Sequence, residues 1–137
     1  MLSFIKVFAL AVAVVVLPGC GGGASPAKGG TPGKLTFGST VSSDIKITIH
    51  RSEAGGFEEL GFANTAADGS FVLYNSGATE PLWLESGDYA FTLESIGPPV
   101  EFPEEFTKPD NTPLKITWTS DMTSISLNAP AELLAEQ

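Results

Sequence analysis

The sequence predicts an all-β domain, an antiparallel sandwich of seven to eight short strands. Three observations carry this. Apolar residues recur at every second position in several segments, the period of a strand with one face on a core. The chain holds ten prolines and fifteen glycines, a composition that suits many turns and few helices. The stretch that carries the pattern is about a hundred residues long, enough for one domain with one core.

Four segments alternate cleanly. Ile45, Ile47 and Ile49 are interleaved with Lys46, Thr48 and His50. Tyr89, Phe91 and Leu93 are interleaved with Ala90, Thr92 and Glu94, and Leu114, Ile116 and Trp118 with Lys115, Thr117 and Thr119. Ile125 and Leu127 flank Ser126. Each set directs one apolar face inward and one polar face to water. Shorter strands are expected at 35–37, 59–63, 70–74 and 82–84. Turn signals separate them: Ala54-Gly55-Gly56, Asp68-Gly69, Ser86-Gly87-Asp88, Gly97-Pro98-Pro99 and Asp110-Asn111. Residues 129–137 read as a weakly helical tail.

The N-terminal part is of a different kind. Lys6 and the terminal amine precede an uninterrupted apolar stretch over residues 7–17. It is shorter than the roughly 20 apolar residues a spanning helix needs, and Pro18 and Gly19 end it. These are the parts of an export signal. Leu17-Pro18-Gly19-Cys20 then resembles a bacterial lipobox, and Cys20 is the only cysteine of the chain. The resemblance implies cleavage before Cys20, a diacylglyceryl group on its sulfur, and a protein held to the membrane by lipid. With no second cysteine the fold has no internal disulfide and rests on its core.

The domain division that follows is a signal peptide over 1–19, a Gly/Ser/Pro linker over 20–33, the sandwich over 34–128 and the tail over 129–137. Gly21 rather than aspartate follows Cys20, which resembles the signal for transport onward to the outer membrane of diderm bacteria. The outer membrane is therefore the expected location within the cell envelope.

Two blocks in the domain carry a further resemblance. Asp68-Gly69-Ser70-Phe71, followed by Gly87-Asp88-Tyr89, is similar to the pattern of carboxypeptidase-regulatory-like domains. Physically, Asp68 and Gly69 would make a tight turn, Phe71 would plug the core, and Gly87 would turn the chain so that Tyr89 packs beside it. The second block is Phe102-Pro103-Glu104-Glu105-Phe106 with Pro109 and Thr112-Pro113-Leu114-Lys115-Ile116. It looks like the tail of small planctomycete envelope lipoproteins of this class. The resemblance implies a Greek-key sandwich of the transthyretin-like (prealbumin-like) kind. It also implies a binding or scaffold role without catalysis, a protein partner in the envelope, and no cofactor.

Enzymatic readings find little to use. His50 is the only histidine, and no Gly-x-Ser-x-Gly elbow exists to present a serine to it. One histidine and one cysteine give no metal-ligand spacing. Glu101, Glu104 and Glu105 form the densest acidic cluster; solvated loop charge is the expectation, with weak Ca²⁺ binding as the alternative. Asp68 is expected to form a turn rather than to ligate a cation. Trp118 continues a core face. Trp83 falls out of phase with Leu82 and Leu84 and is expected either to seal one end of the sandwich or to stand exposed as a ligand contact.

The formal net charge is −9. Removing the signal removes Lys6 alone, leaving six basic against sixteen acidic side chains, a net −10. So acidic a domain is repelled by nucleic acid and by anionic headgroups. Nucleic acid is excluded as a partner. Two classes of function stay open: a structural or protein-interaction module, and a solute- or glycan-binding module built on Trp83, Glu101, Glu104 and Glu105.

Overall fold

The computed structural model describes residues 30–135. Cys20 and the signal lie outside the described residues, as does most of the linker. Eight strands follow: β1 (Pro32–Phe37), β2 (Ile45–Glu53), β3 (Gly56–Asn64), β4 (Ser70–Val72), β5 (Tyr74–Asn75), β6 (Gly87–Ser95), β7 (Lys115–Trp118) and β8 (Ile125–Ala129). A 3-10 turn at Glu104–Thr107 and a one-turn helix α1 (Glu132–Ala135) complete the architecture.

The strands form two sheets, one of three in the order β4-β1-β8 and one of five in the order β5-β3-β2-β6-β7. The inward sets of the period-two readings hold on β2, β6 and β8, but on β6 the alternate residues Ala90 and Thr92 are buried too, so the middle of that strand has no face to water. Ile45, Ile47 and Ile49 of β2, Tyr89, Phe91 and Leu93 of β6, and Ile125 and Leu127 of β8 are all buried. Together with Leu35 and Phe37 of β1 they fill one apolar cluster between the sheets. Trp118 joins that cluster, as its phase predicts.

Pairing departs from the expectation in one respect. β1 and β8 run parallel, from Gly33 opposite Ile125 to Phe37 opposite Ala129, while every other pair of strands is antiparallel. Parallel neighbours cannot be joined by a hairpin, and here almost the whole domain lies between them. The side-chain period does not report strand direction.

Three local readings are also corrected. Residues 82–84 form no strand. The Leu82 N–H donates to the Leu73 carbonyl, and the Leu82 carbonyl accepts from Thr31, both within loop structure. The segment read as 70–74 is two strands, β4 and β5, in different sheets, with Leu73 at the crossover. Gly87 opens β6 and is not among the glycines with positive φ. It is Tyr89 that ties this corner, donating its hydroxyl to the Glu85 carbonyl at 2.6 Å.

The Asp68-Gly69 turn forms as read. Asp68 Oδ1 accepts from the Ser70 N–H at 3.0 Å and from its hydroxyl at 2.6 Å. Gly69 takes φ +80°, and a Cβ there would sit 2.5 Å from the Leu35 carbonyl oxygen. Farther along, a bulge between Ile49 and His50 shifts the β2–β3 register. Beside it the backbone of Tyr74 approaches Gly61 so closely that a Cβ would lie 2.0 Å from its oxygen. Only glycine lets β5 pair there.

Two buried threonines stitch the connections. Thr65 Oγ1 donates to the Ser42 carbonyl at 2.7 Å and accepts the Ile45 N–H at 3.1 Å. Thr112 Oγ1 donates to the Phe91 carbonyl at 2.7 Å and accepts the Leu114 N–H at 3.1 Å. Among the described residues every buried side-chain nitrogen and oxygen has a partner, as a dry core requires.

Candidate functional site

The residues singled out by sequence lie at different places on the sandwich. His50 sits on the outward face of β2. Its Nε2 is 3.0 Å from Thr92 Oγ1 of the neighbouring strand β6. Partial burial pushes the imidazole below its usual range, and the charge of Glu59, its cross-strand neighbour, opposes that shift. Its ring partner is thus a threonine hydroxyl rather than a carboxylate, and the arrangement is that of a half-buried surface histidine.

The acidic cluster lies beyond the C-terminal end of β6. Pro103 precedes the 3-10 turn, and the Phe106 N–H donates to its carbonyl at 2.9 Å. Phe106 is driven into the core, and the Phe102 ring stacks on Phe37 at 6.2 Å. These two aromatic anchors turn the carboxylates outward, so Glu101, Glu104 and Glu105 are all exposed. Glu104 pairs with Lys108 one turn later; that hydrogen bond and its charge hold the Glu104 carboxyl below the usual range. Among the described residues no group of three or more His, Cys, Asp or Glu side chains is placed to hold a metal ion. Asp68 is occupied by its turn, with its carboxyl lowered by the Ser70 hydroxyl and N–H.

Trp83 is 61% exposed. It therefore does not seal the sandwich; Leu82 and Leu84 on either side turn inward and pack against the core instead. Trp83 precedes the start of β6, while Glu101 follows its end. A nine-residue strand at roughly 3.3 Å per residue separates the two by some 25 Å. Trp83 and the three glutamates are not brought together into one site.

The sequence reading missed a polar group at the Trp83 end. The Arg51 guanidinium lies 5.9 Å from the Tyr89 ring centroid, with Nη2 3.5 Å from the Tyr89 hydroxyl and 3.7 Å from the Glu85 carboxylate. Beside it an open depression of about 240 Å³ is lined by the paired strands β6 and β7 and by the end of the β2–β3 hairpin, with Phe57, Asp88 and Lys115 on its walls. Lys115 Nζ stands 6.0 Å from the Phe57 centroid, and Asp88 accepts from Thr117 at 2.7 Å. At the tip of the β2–β3 hairpin, Glu58 raises the Glu53 carboxyl above its usual range through a shared hydrogen bond. Lys115 and Thr117 were legible as outward positions from the alternation, but Arg51, Phe57 and Glu85 were not, and the grouping needed the register.

Among the described residues no helix is long and apolar enough to cross a membrane. No family model matches this chain, nor does any curated protein or solved structure.

Proposed function

We propose that this chain is a lipid-anchored cell-envelope protein, held by acyl chains on Cys20, whose sandwich serves as a non-catalytic structural or protein-interaction module. We assign the sandwich to the Greek-key, transthyretin-like class, on the Asp68-Gly69-Ser70-Phe71 turn and the buried Tyr89. The outer membrane is the favoured location, because Gly21 follows Cys20. No role is given to a cofactor or to nucleic acid.

One observation carries the interaction reading. The longer terminal strands of the two sheets, β7 and β8, lie on the same side of the sandwich, since β4 at the other end of its sheet touches β3. A terminal strand presents backbone N–H and C=O groups that an extended segment of another chain can pair. β8 alternates buried and exposed residues along its length, so Ser126 and Asn128 would meet such a segment.

Photo-crosslinking side chains placed at Ser126 and Thr117 in intact cells, followed by mass identification, test the proposal. A recurrent protein adduct is the expected result; its absence from both positions refutes the interaction role. The mass of the N-terminal peptide tests the anchor, and unmodified Cys20 on an uncleaved leader overturns it. The solute- or glycan-binding alternative keeps exposed Trp83 but not its grouping with Glu101, Glu104 and Glu105, which lie beyond the other end of β6. It predicts thermal stabilisation by a sugar or by Ca²⁺, since a ligand selective for the folded state raises stability by mass action.

A further inference from the structure

Two large apolar side chains stand exposed among the described residues, Trp83 and Ile96, the latter 53% accessible. They occupy opposite ends of the sandwich, because β6 runs between them. What distinguishes the ends is where the chain joins the fold. The Thr31 N–H donates to the Leu82 carbonyl at 2.9 Å, and Thr31 Oγ1 accepts the Leu84 N–H at 2.9 Å. The Leu73 N–H donates to the Thr31 carbonyl at 3.0 Å. Trp83 is thus held between two residues that are both bonded to Thr31. Thr31 itself is 3% exposed, so this junction belongs to the rigid domain.

Cys20 precedes Gly30 by ten residues. Even fully extended, that length reaches at most about 35 Å. A lipid on Cys20 is therefore joined to the domain at its Trp83 end, where Thr31 bonds to the residues on either side of the exposed indole.

From this geometry we infer that the Trp83 loop is a second, non-covalent membrane contact, seated among lipid headgroups and orienting the anchored domain with its Ile96 end outward. The inference rests on the lipid-anchor reading. Indole suits the site: its ring is apolar, its N–H seeks a polar partner, and tryptophan concentrates where hydrocarbon meets water. One side chain binds a bilayer weakly from free solution. The tether makes the contact intramolecular, at the millimolar effective concentration a short linker provides. Glu80 and Glu85 are exposed on the same loop, so the fitting surface is zwitterionic. Anionic lipid weakens the contact, and salt relieves that repulsion.

The test supplies the anchor artificially, so that its failure is separable from failure of the lipidation reading. The chain from Cys20 onward is coupled through its single thiol to a maleimide lipid in phosphatidylcholine vesicles whose acyl chains carry bromine. Tryptophan emission is compared with that of Trp83→Phe, in which only the buried Trp118 emits. The expected result is a blue shift and bromine quenching in the parent chain that Trp83→Phe loses. Moving the reporter to the far end, with Ile96→Trp in the Trp83→Phe background, should leave it unquenched. Emission that stays unshifted and unquenched on coupling overturns the inference, as does equal quenching at both ends. A spectral response to soluble oligosaccharide without bromine quenching also overturns it, in favour of a glycan site at Trp83.

Discussion

Replacing Thr112 with valine should destabilise the domain far more than the loss of one surface hydroxyl would. Thr112 is 1% exposed, and its Oγ1 serves two backbone groups at once, the Phe91 carbonyl and the Leu114 N–H. Valine fills the same volume, so no cavity term enters. Both backbone groups lose their partner in a place that excludes water. A buried polar group left unpaired costs about 1–3 kcal/mol, so the pair together costs about 2–6 kcal/mol. For a domain of this size each kcal/mol lowers Tm by about 4–8 °C, giving a drop on the order of 10–40 °C. Thr112→Ser keeps the hydroxyl and loses one methyl, for about 1 kcal/mol. Chemical denaturation of the three chains, with thermal melts alongside, measures the difference. A valine variant as stable as the serine variant refutes the bridging role assigned to the hydroxyl.

Two further outcomes follow from local geometry. Gly69→Ala should cost clearly more than Gly55→Ala. Both take positive φ, which strains an L-residue by roughly 1–2 kcal/mol. Only at Gly69 does the added Cβ also meet a carbonyl oxygen at 2.5 Å, whereas nothing lies within 4 Å at Gly55. Equal denaturation midpoints would contradict this. The second outcome concerns pH. Burial holds the His50 imidazole of the folded chain below the ordinary histidine value of about 6.5. As pH falls through that value the unfolded chain binds the proton first, so stability drops; at higher pH the ring is neutral in both states and contributes nothing. His50→Gln should remove this portion of the loss, measured as the change in unfolding free energy between about pH 7.5 and 5.5. An unchanged slope in the variant would show that the loss comes from other groups.

How much was legible before the structure differs from place to place. The inward sets on β2, β6 and β8 were readable because alternation is a property of neighbouring residues. The Asp68-Gly69 turn was readable for the same reason, since Asp68 bonds to Ser70 two positions on. Residues 82–84 misled because three consecutive large apolar side chains look like a strand whichever way their backbone bonds. In the folded chain those bonds go to Thr31 and Leu73, partners that no local pattern names.

The candidate site follows the same division. The residue types of Trp83, Glu101, Glu104, Glu105 and His50 were plain in the sequence, and so was the position of Cys20 after an apolar leader. That the tryptophan and the glutamates sit at opposite ends of β6 was not, because distance in space depends on strand direction and crossover. Composition and two-residue periodicity, by themselves, determined an all-β domain with named inward faces and turns. Tertiary structure alone decided that β8 runs parallel to β1, that Arg51, Tyr89 and Glu85 meet, and that Trp83 stands exposed beside Thr31. The physical reason is that side-chain phase is a local property of the chain, whereas register, strand order and exposure come from contacts between residues far apart in it.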